Sequence, residues 1–66
     1  MKIRINGEEH HLKHPQSVAE LLAALGMEKR PVLVELNGVA LHQREHRSAR
    51  VEAGAVIELV RMVAGG

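Results

Sequence analysis

The residues best suited to chemistry in this 66-residue chain stand at its end, where Val63 and Ala64 lead into Gly65-Gly66. Glycine has no Cβ, so two in a row make the thinnest and most flexible tail a chain can offer. Such a tail can thread into a narrow active site and present its terminal carboxylate to another enzyme. Chance would put glycine at two given positions about once in 200 chains. A frayed end or an added scar would look the same, but the elements ahead of the tail point to a handle.

Five histidines, His10, His11, His14, His42 and His46, are the other candidates. His42 and His46 would share a face if their segment were helical. His10 and His11 point to opposite sides of a strand, and no carboxylate stands at ligand spacing. Solvated histidines and no metal site are the expectation. Arg44, Arg47 and Arg50 recur every three residues, and a solvated face is expected there too.

The composition narrows the function further. At this length the chain is a single domain, residues 1–66, which buries only about 60% of its unfolded surface. Its apolar fraction is 45%, without one aromatic residue. That argues against base stacking, on which single-stranded nucleic-acid binders lean. Nine basic and eight acidic side chains leave a net charge of +1, too little to steer the chain to phosphate backbones or anionic lipid. No cysteine is present, which excludes disulfides, thiolate metal sites and a cysteine nucleophile. No signal core precedes the first strand pattern, and no apolar run is long enough to span a bilayer, so the cytoplasm is the expected compartment.

These residues need elements to hold them. Ile3 and Ile5 alternate with polar neighbours, as in a half-buried strand, and Asn6-Gly7 follows as a hairpin turn. Glu9 to Lys13 reads as a polar edge strand ended by Pro15. Ser17 and Glu20 form a capping box. Val18, Leu21, Leu22 and Leu25 then share one helical face, and Gly26 suits the left-handed stop. Val32–Leu36 is a central strand, and Asn37-Gly38 turns it into Val39–Leu41. His42 to Arg50 is a polar connection with room for a helical turn. Val56–Val60 reads as a buried final strand. A hairpin, a crossing helix, a second hairpin and a last strand predict an α+β fold: a mixed sheet of four to five strands with one main helix on one face. The first and last strands should lie parallel and adjacent. This order is that of a β-grasp domain.

The chain resembles the sulfur-carrier branch of the ubiquitin-like β-grasp proteins, and within it the ThiS family of thiamine biosynthesis. The resemblance covers the whole chain. It rests on Ile3-x-Ile5-Asn6-Gly7, Ser17-Val18-x-Glu20-Leu21-Leu22, Val34-x-Leu36-Asn37-Gly38, Gly54 before an apolar strand, and Val63-Ala64-Gly65-Gly66. It implies a protein cosubstrate rather than an enzyme. An E1-like adenylating enzyme of the ThiF type would spend ATP to activate the Gly66 carboxylate. A cysteine desulfurase or similar sulfur donor would convert it to a thiocarboxylate. A thiazole synthase of the ThiG type would take the sulfur. Gly65 would keep the approach to Gly66 free of side chains, residues 64–66 forming a flexible tail, and no cofactor would be bound by the chain itself.

The sheet face opposite the helix is the expected partner surface. Val56, Glu58, Val60 and Met62 share one side of the last strand, and Ile57, Leu59, Arg61 and Val63 share the other. One helix can cover only one side. Val60, Met62, Val63 and Ala64 are the expected partner-binding residues. Two other functions fit the same tail: the small subunit of molybdopterin synthase, commonly longer and with aromatics, and a ubiquitin-like modifier or binding module. Neither nucleic acid nor membrane is an expected partner.

Overall fold

In chain order the elements are β1 (Lys2–Ile5), β2 (Glu8–His11), β3 (Gln16–Ser17), α1 (Val18–Ala24), β4 (Val32–Leu36) and β5 (Val39–Leu41). A 3-10 turn (Gln43–Glu45), β6 (Arg50–Val51) and β7 (Val56–Arg61) follow. The computed structural model describes residues 1–62, and the expected tail from Val63 to Gly66 lies outside them.

Both hairpins are set by their turns. Asn6 and Gly7 have φ of 50° and 81°, and Asn37 and Gly38 have 51° and 84°. A type I′ turn requires positive φ at both central residues, which Asn and Gly adopt with least strain. Five strands then form one sheet in the order β2-β1-β7-β4-β5. β1 and β7 run parallel, with Arg4 opposite Val56 and Ile5 opposite Ile57. β4 pairs antiparallel with β7 from Val32–Arg61 to Leu36–Ile57. With α1 on one face, this is the predicted α+β, β-grasp arrangement.

The turn asparagines also hold β7 from either side. Asn6 Nδ2 donates to the Leu59 carbonyl at 3.2 Å, and the Leu59 amide donates to Asn6 Oδ1 at 2.8 Å. The side-chain amide thus stands in for one more peptide group where β1 ends. On the other side the Val56 amide donates to Asn37 Oδ1 at 2.9 Å, and the Asn37 amide donates to the Val56 carbonyl at 2.8 Å.

The core between sheet and helix is wholly aliphatic. It contains Ile3, Ile5, Val18, Leu21, Leu22, Val34, Val51, Ala55, Ile57 and Leu59. α1 begins with the expected capping box: the Glu20 amide donates to Ser17 Oγ, and the Ser17 amide donates to Glu20 Oε1. It ends as a Schellman motif, with the Gly26 amide donating to Ala23 O and the Met27 amide to Leu22 O.

Several expectations are corrected. Leu25, placed on the apolar helix face, is exposed, because as the C-cap it lies where the helix is already leaving the sheet. The return strand is Glu8–His11 rather than Glu9–Lys13, although the Leu12 amide still donates to Met1 O. The last strand is not buried throughout: Ile57 and Leu59 are in the core, whereas Val56 and Val60 face solvent. The polar connection holds the expected helical turn, as the 3-10 turn Gln43–Glu45, and also packs against the helix start. Its carbonyls at Ala49 and His46 accept from the Val18 and Ala19 amides, the free donors of the helix start. Arg50–Val51 pairs with Gln16–Ser17 as a separate two-stranded sheet, and Val51 is fully buried.

Three substitutions test these contacts. Asn6→Gly keeps the positive φ but deletes both bonds to Leu59, and should lower stability by about 1–3 kcal/mol. Asn37→Gly, which loses one, should cost about 0.5–1.5 kcal/mol. Urea unfolding with an unchanged slope checks both. The Ser17 backbone amide, and then its side chain, hold the Glu20 carboxyl below the usual glutamate value. A carboxyl lowered in the folded state contributes stability that is complete above its unfolded value and lost as pH falls through its folded one. Glu20→Gln should therefore flatten the fall of stability below about pH 4.3, measured by urea unfolding across acid pH.

Candidate functional site

Because side chains alternate along a strand, burying Ile57 and Leu59 under α1 obliges Val56, Glu58 and Val60 to face the other way. The same rule divides β4: Val34 is buried, and Leu33 and Glu35 are exposed. The register then assembles a surface from residues distant in sequence. Leu33 lies opposite Val60, Glu35 opposite Glu58, and Ala40 of β5 beside Glu35. Arg4 of β1 lies opposite Val56.

This face is apolar toward the end of β7. Leu33 is 48% exposed, Val60 55% and Met62 59%. The Met62 amide donates to Pro31 O at 3.0 Å, so backbone pairing holds the chain to its last described residue. Exposed apolar side chains grouped in this way are a candidate for burial by another molecule. Of the residues expected to meet a partner, Val60 stands on this face, and Met62, one residue past β7, is exposed at its end, where it borders a groove with Pro31, Leu33 and His46. Val63, Ala64, Gly65 and Gly66 lie outside the described residues. Leu33 was not singled out in the sequence. Its signal was there, since it falls out of phase with Val32, Val34 and Leu36, but only the register with Val60 makes it part of the patch.

The histidines are dispersed. His11 Nε2 is 3.0 Å from Glu9 Oε2, and His14 Nδ1 is 2.9 Å from Pro15 O. His42 is exposed and His10 half-buried. His46 departs from the expectation that all are solvated: it is 9% exposed, and its Nε2 has no hydrogen-bond partner among the described residues. The cause is its backbone carbonyl, which accepts from Ala19 and draws the residue under the helix start. It borders a shallow groove with Leu22, Met27, Leu41 and Gln43. Among the described residues no three His, Cys, Asp or Glu side chains converge as metal ligands. Arg44, Arg47 and Arg50 are all exposed, and the 3-10 turn is too short to align them on one helical face. No helix among the described residues is long and apolar enough to cross a membrane.

This geometry leaves an exposed apolar surface that runs to Met62, the last described residue. A direct test separates the two sides of β7. Ile57→Ala should cost about 2–5 kcal/mol, as a buried aliphatic truncation does. Met62→Lys should change stability by less than about 0.5 kcal/mol. Urea midpoints of the two variants check the assignment.

Comparison with known proteins adds four findings. The family model of the ThiS family matches residues 3–66. The chain is 35% identical over its full 66 residues to a thiazole synthase of Paramagnetospirillum magneticum, and spans only 20% of that relative's length. A crystal structure of the thiamine biosynthesis protein ThiS from Geobacter metallireducens superposes with a TM-score of 0.87 at 30% identity, each chain covered completely. An NMR solution structure of a thiamine biosynthesis protein from the same organism gives 0.81 at 30% identity, covering all of this chain and 88% of that one.

Proposed function

This chain belongs to the ThiS family, and from that premise we propose that it is a sulfur carrier for thiazole formation in thiamine biosynthesis. The observation that carries the reading is the family match running through residue 66, which takes in Val63-Ala64-Gly65-Gly66. The exposed face ending at Met62 supports it, because a carrier must be gripped by its partners close to the reacting end.

In this reading Gly66 is the carboxy-terminal residue and its carboxylate is the reacting group. A carboxylate resists nucleophiles, since they must approach a negative charge. An adenylating enzyme removes that charge by joining the carboxylate to AMP, releasing pyrophosphate from ATP. Sulfur from a persulfide donor then displaces AMP, and a second thiol cleaves the S–S bond to leave the thiocarboxylate. Thiazole synthase takes the sulfur from it. The carrier contributes no general acid or base to these steps. Its contribution is binding energy at the sheet face and a pair of residues without side chains at the reacting end, so catalysis belongs to its partners.

Two features favour the thiamine branch over the small subunit of molybdopterin synthase. The relatives described above are named for thiazole synthesis or thiamine biosynthesis. One of them, a thiazole synthase, contains a segment like this chain within its own polypeptide, which supports a thiazole synthase as the partner here.

The test is intact mass after incubation with ATP, a sulfur donor and the adenylating enzyme, comparing the full chain with one lacking Gly66. Oxygen-to-sulfur exchange adds nearly the same mass as sulfoxide formation at Met1, Met27 or Met62. The gain must therefore be localised by fragmentation or by alkylating the new sulfur. The expected result is a gain confined to Gly66 and absent from the shortened chain. No gain, with an adenylating enzyme active on another carrier, would reject the proposal. Stable isopeptide adducts on lysines would point instead to a protein modifier.

A further inference from the structure

The solvent face of β4 and β7 holds a charge arrangement that folding does not explain. Glu35 and Glu58 are directly opposite in the antiparallel register, and both are exposed. The ion pairs among the described residues both use Glu9, so neither carboxylate of the facing pair has a cation within ion-pair distance. Like charges directly opposite on neighbouring strands weaken a sheet. Leu33, Val60 and Met62 flank the pair toward the end of β7 and Val56 flanks it on the other side, where the exposed Arg4 lies opposite Val56 without forming an ion pair with either carboxylate. An apolar face with two adjacent negative charges inside it is complementary to an apolar seat that carries a cation. Arginine suits such a place, because its planar guanidinium has several donors and its weak hydration makes it common in interface cores.

We infer that this face docks on the sulfur-accepting thiazole synthase through an apolar seat for Leu33, Val60 and Met62, with a basic side chain of that enzyme set between Glu35 and Glu58. The inference rests on the sulfur-carrier reading and adds to it the chemistry by which the partner is recognised. It also gives the pair a reason to persist. A surface without the cation would desolvate two carboxylates and leave them unpaired, so the pair rejects wrong partners as well as attracting the right one.

The test is calorimetric binding of the full chain to the thiazole synthase of the same organism, at low and physiological salt. The chains compared are the unsubstituted one, Glu58→Gln, the double variant Glu35→Gln/Glu58→Gln, and Glu52→Gln. Glu52 is exposed in the turn before β7, and its substitution changes net charge by the same amount away from the face. Glu58→Gln should weaken binding by about tenfold or more, and Glu52→Gln by less than about twofold. The affinity of the unsubstituted chain should fall with salt, and that dependence should be reduced in the double variant. Urea midpoints of the Glu58 variants should stay level or rise, which separates a lost contact from a damaged fold. Equal affinities for Glu58→Gln and Glu52→Gln, or no binding by the unsubstituted chain, would overturn the inference. Sulfur loading at Gly66 is read independently. If it proceeds while Glu58→Gln binds normally, only the docking inference fails, and if it does not proceed the carrier reading fails.

Discussion

The structure depends on satisfying both backbone edges of β7. A central strand exposes amides and carbonyls on two sides, and each buried group left unpaired is costly. β4 supplies one side along most of the strand. β1 is too short to supply the other, with only two residues in register. Asn6 makes up the shortfall with its side-chain amide on Leu59, and Asn37 does the same for Val56 on the opposite edge. The two hairpin turns are therefore more than reversals of direction. They are clamps that fix the height of β7 in the sheet, and with it which side chains face the helix and where the strand ends.

The thin core imposes a second constraint. A seven-residue helix is too short to persist by itself. It is held by the packing of Val18, Leu21 and Leu22 on the sheet and by a complete set of partners for its first amides. Two of those partners are carbonyls of the connection from residue 42 to residue 50, which is why that polar segment lies against the domain and carries Val51 into the core. With α1 and the connection covering one side of the sheet, the other side is left open. For a carrier this division is functional. One face of β7 holds the fold together, and the opposite face, which the proposed function assigns to partners, is left exposed.

Much of this was legible in the residues. The Asn-Gly pairs announced their turns because few other residues accept positive φ in succession. Ser17 and Glu20 announced the helix start because the capping box is a local pattern of side chain and backbone. Alternation along the last strand divided its faces correctly, even though its apolar character suggested burial on both. The rest depended on contacts distant in the chain. Gln16–Ser17 and Arg50–Val51 have no strand-like pattern and pair only because the helix start brings them together. His46 looked like its solvated neighbours, and its burial follows from a backbone bond to Ala19 that no spacing encodes.

By itself the sequence determined the five strands of the main sheet, the helix, their order and the aliphatic character of the core. These rest on short-range rules: backbone sterics at Asn-Gly, alternation in strands, periodicity in the helix. The tertiary structure decided which apolar residues remain outside the core and which charges meet. Leu33 joins Val60, and Glu35 meets Glu58, only through the register of β4 against β7. That register is set by hydrogen bonds and core packing across more than twenty intervening residues, as the Leu33–Val60 pair illustrates, and such long-range pairing leaves no mark at either position alone.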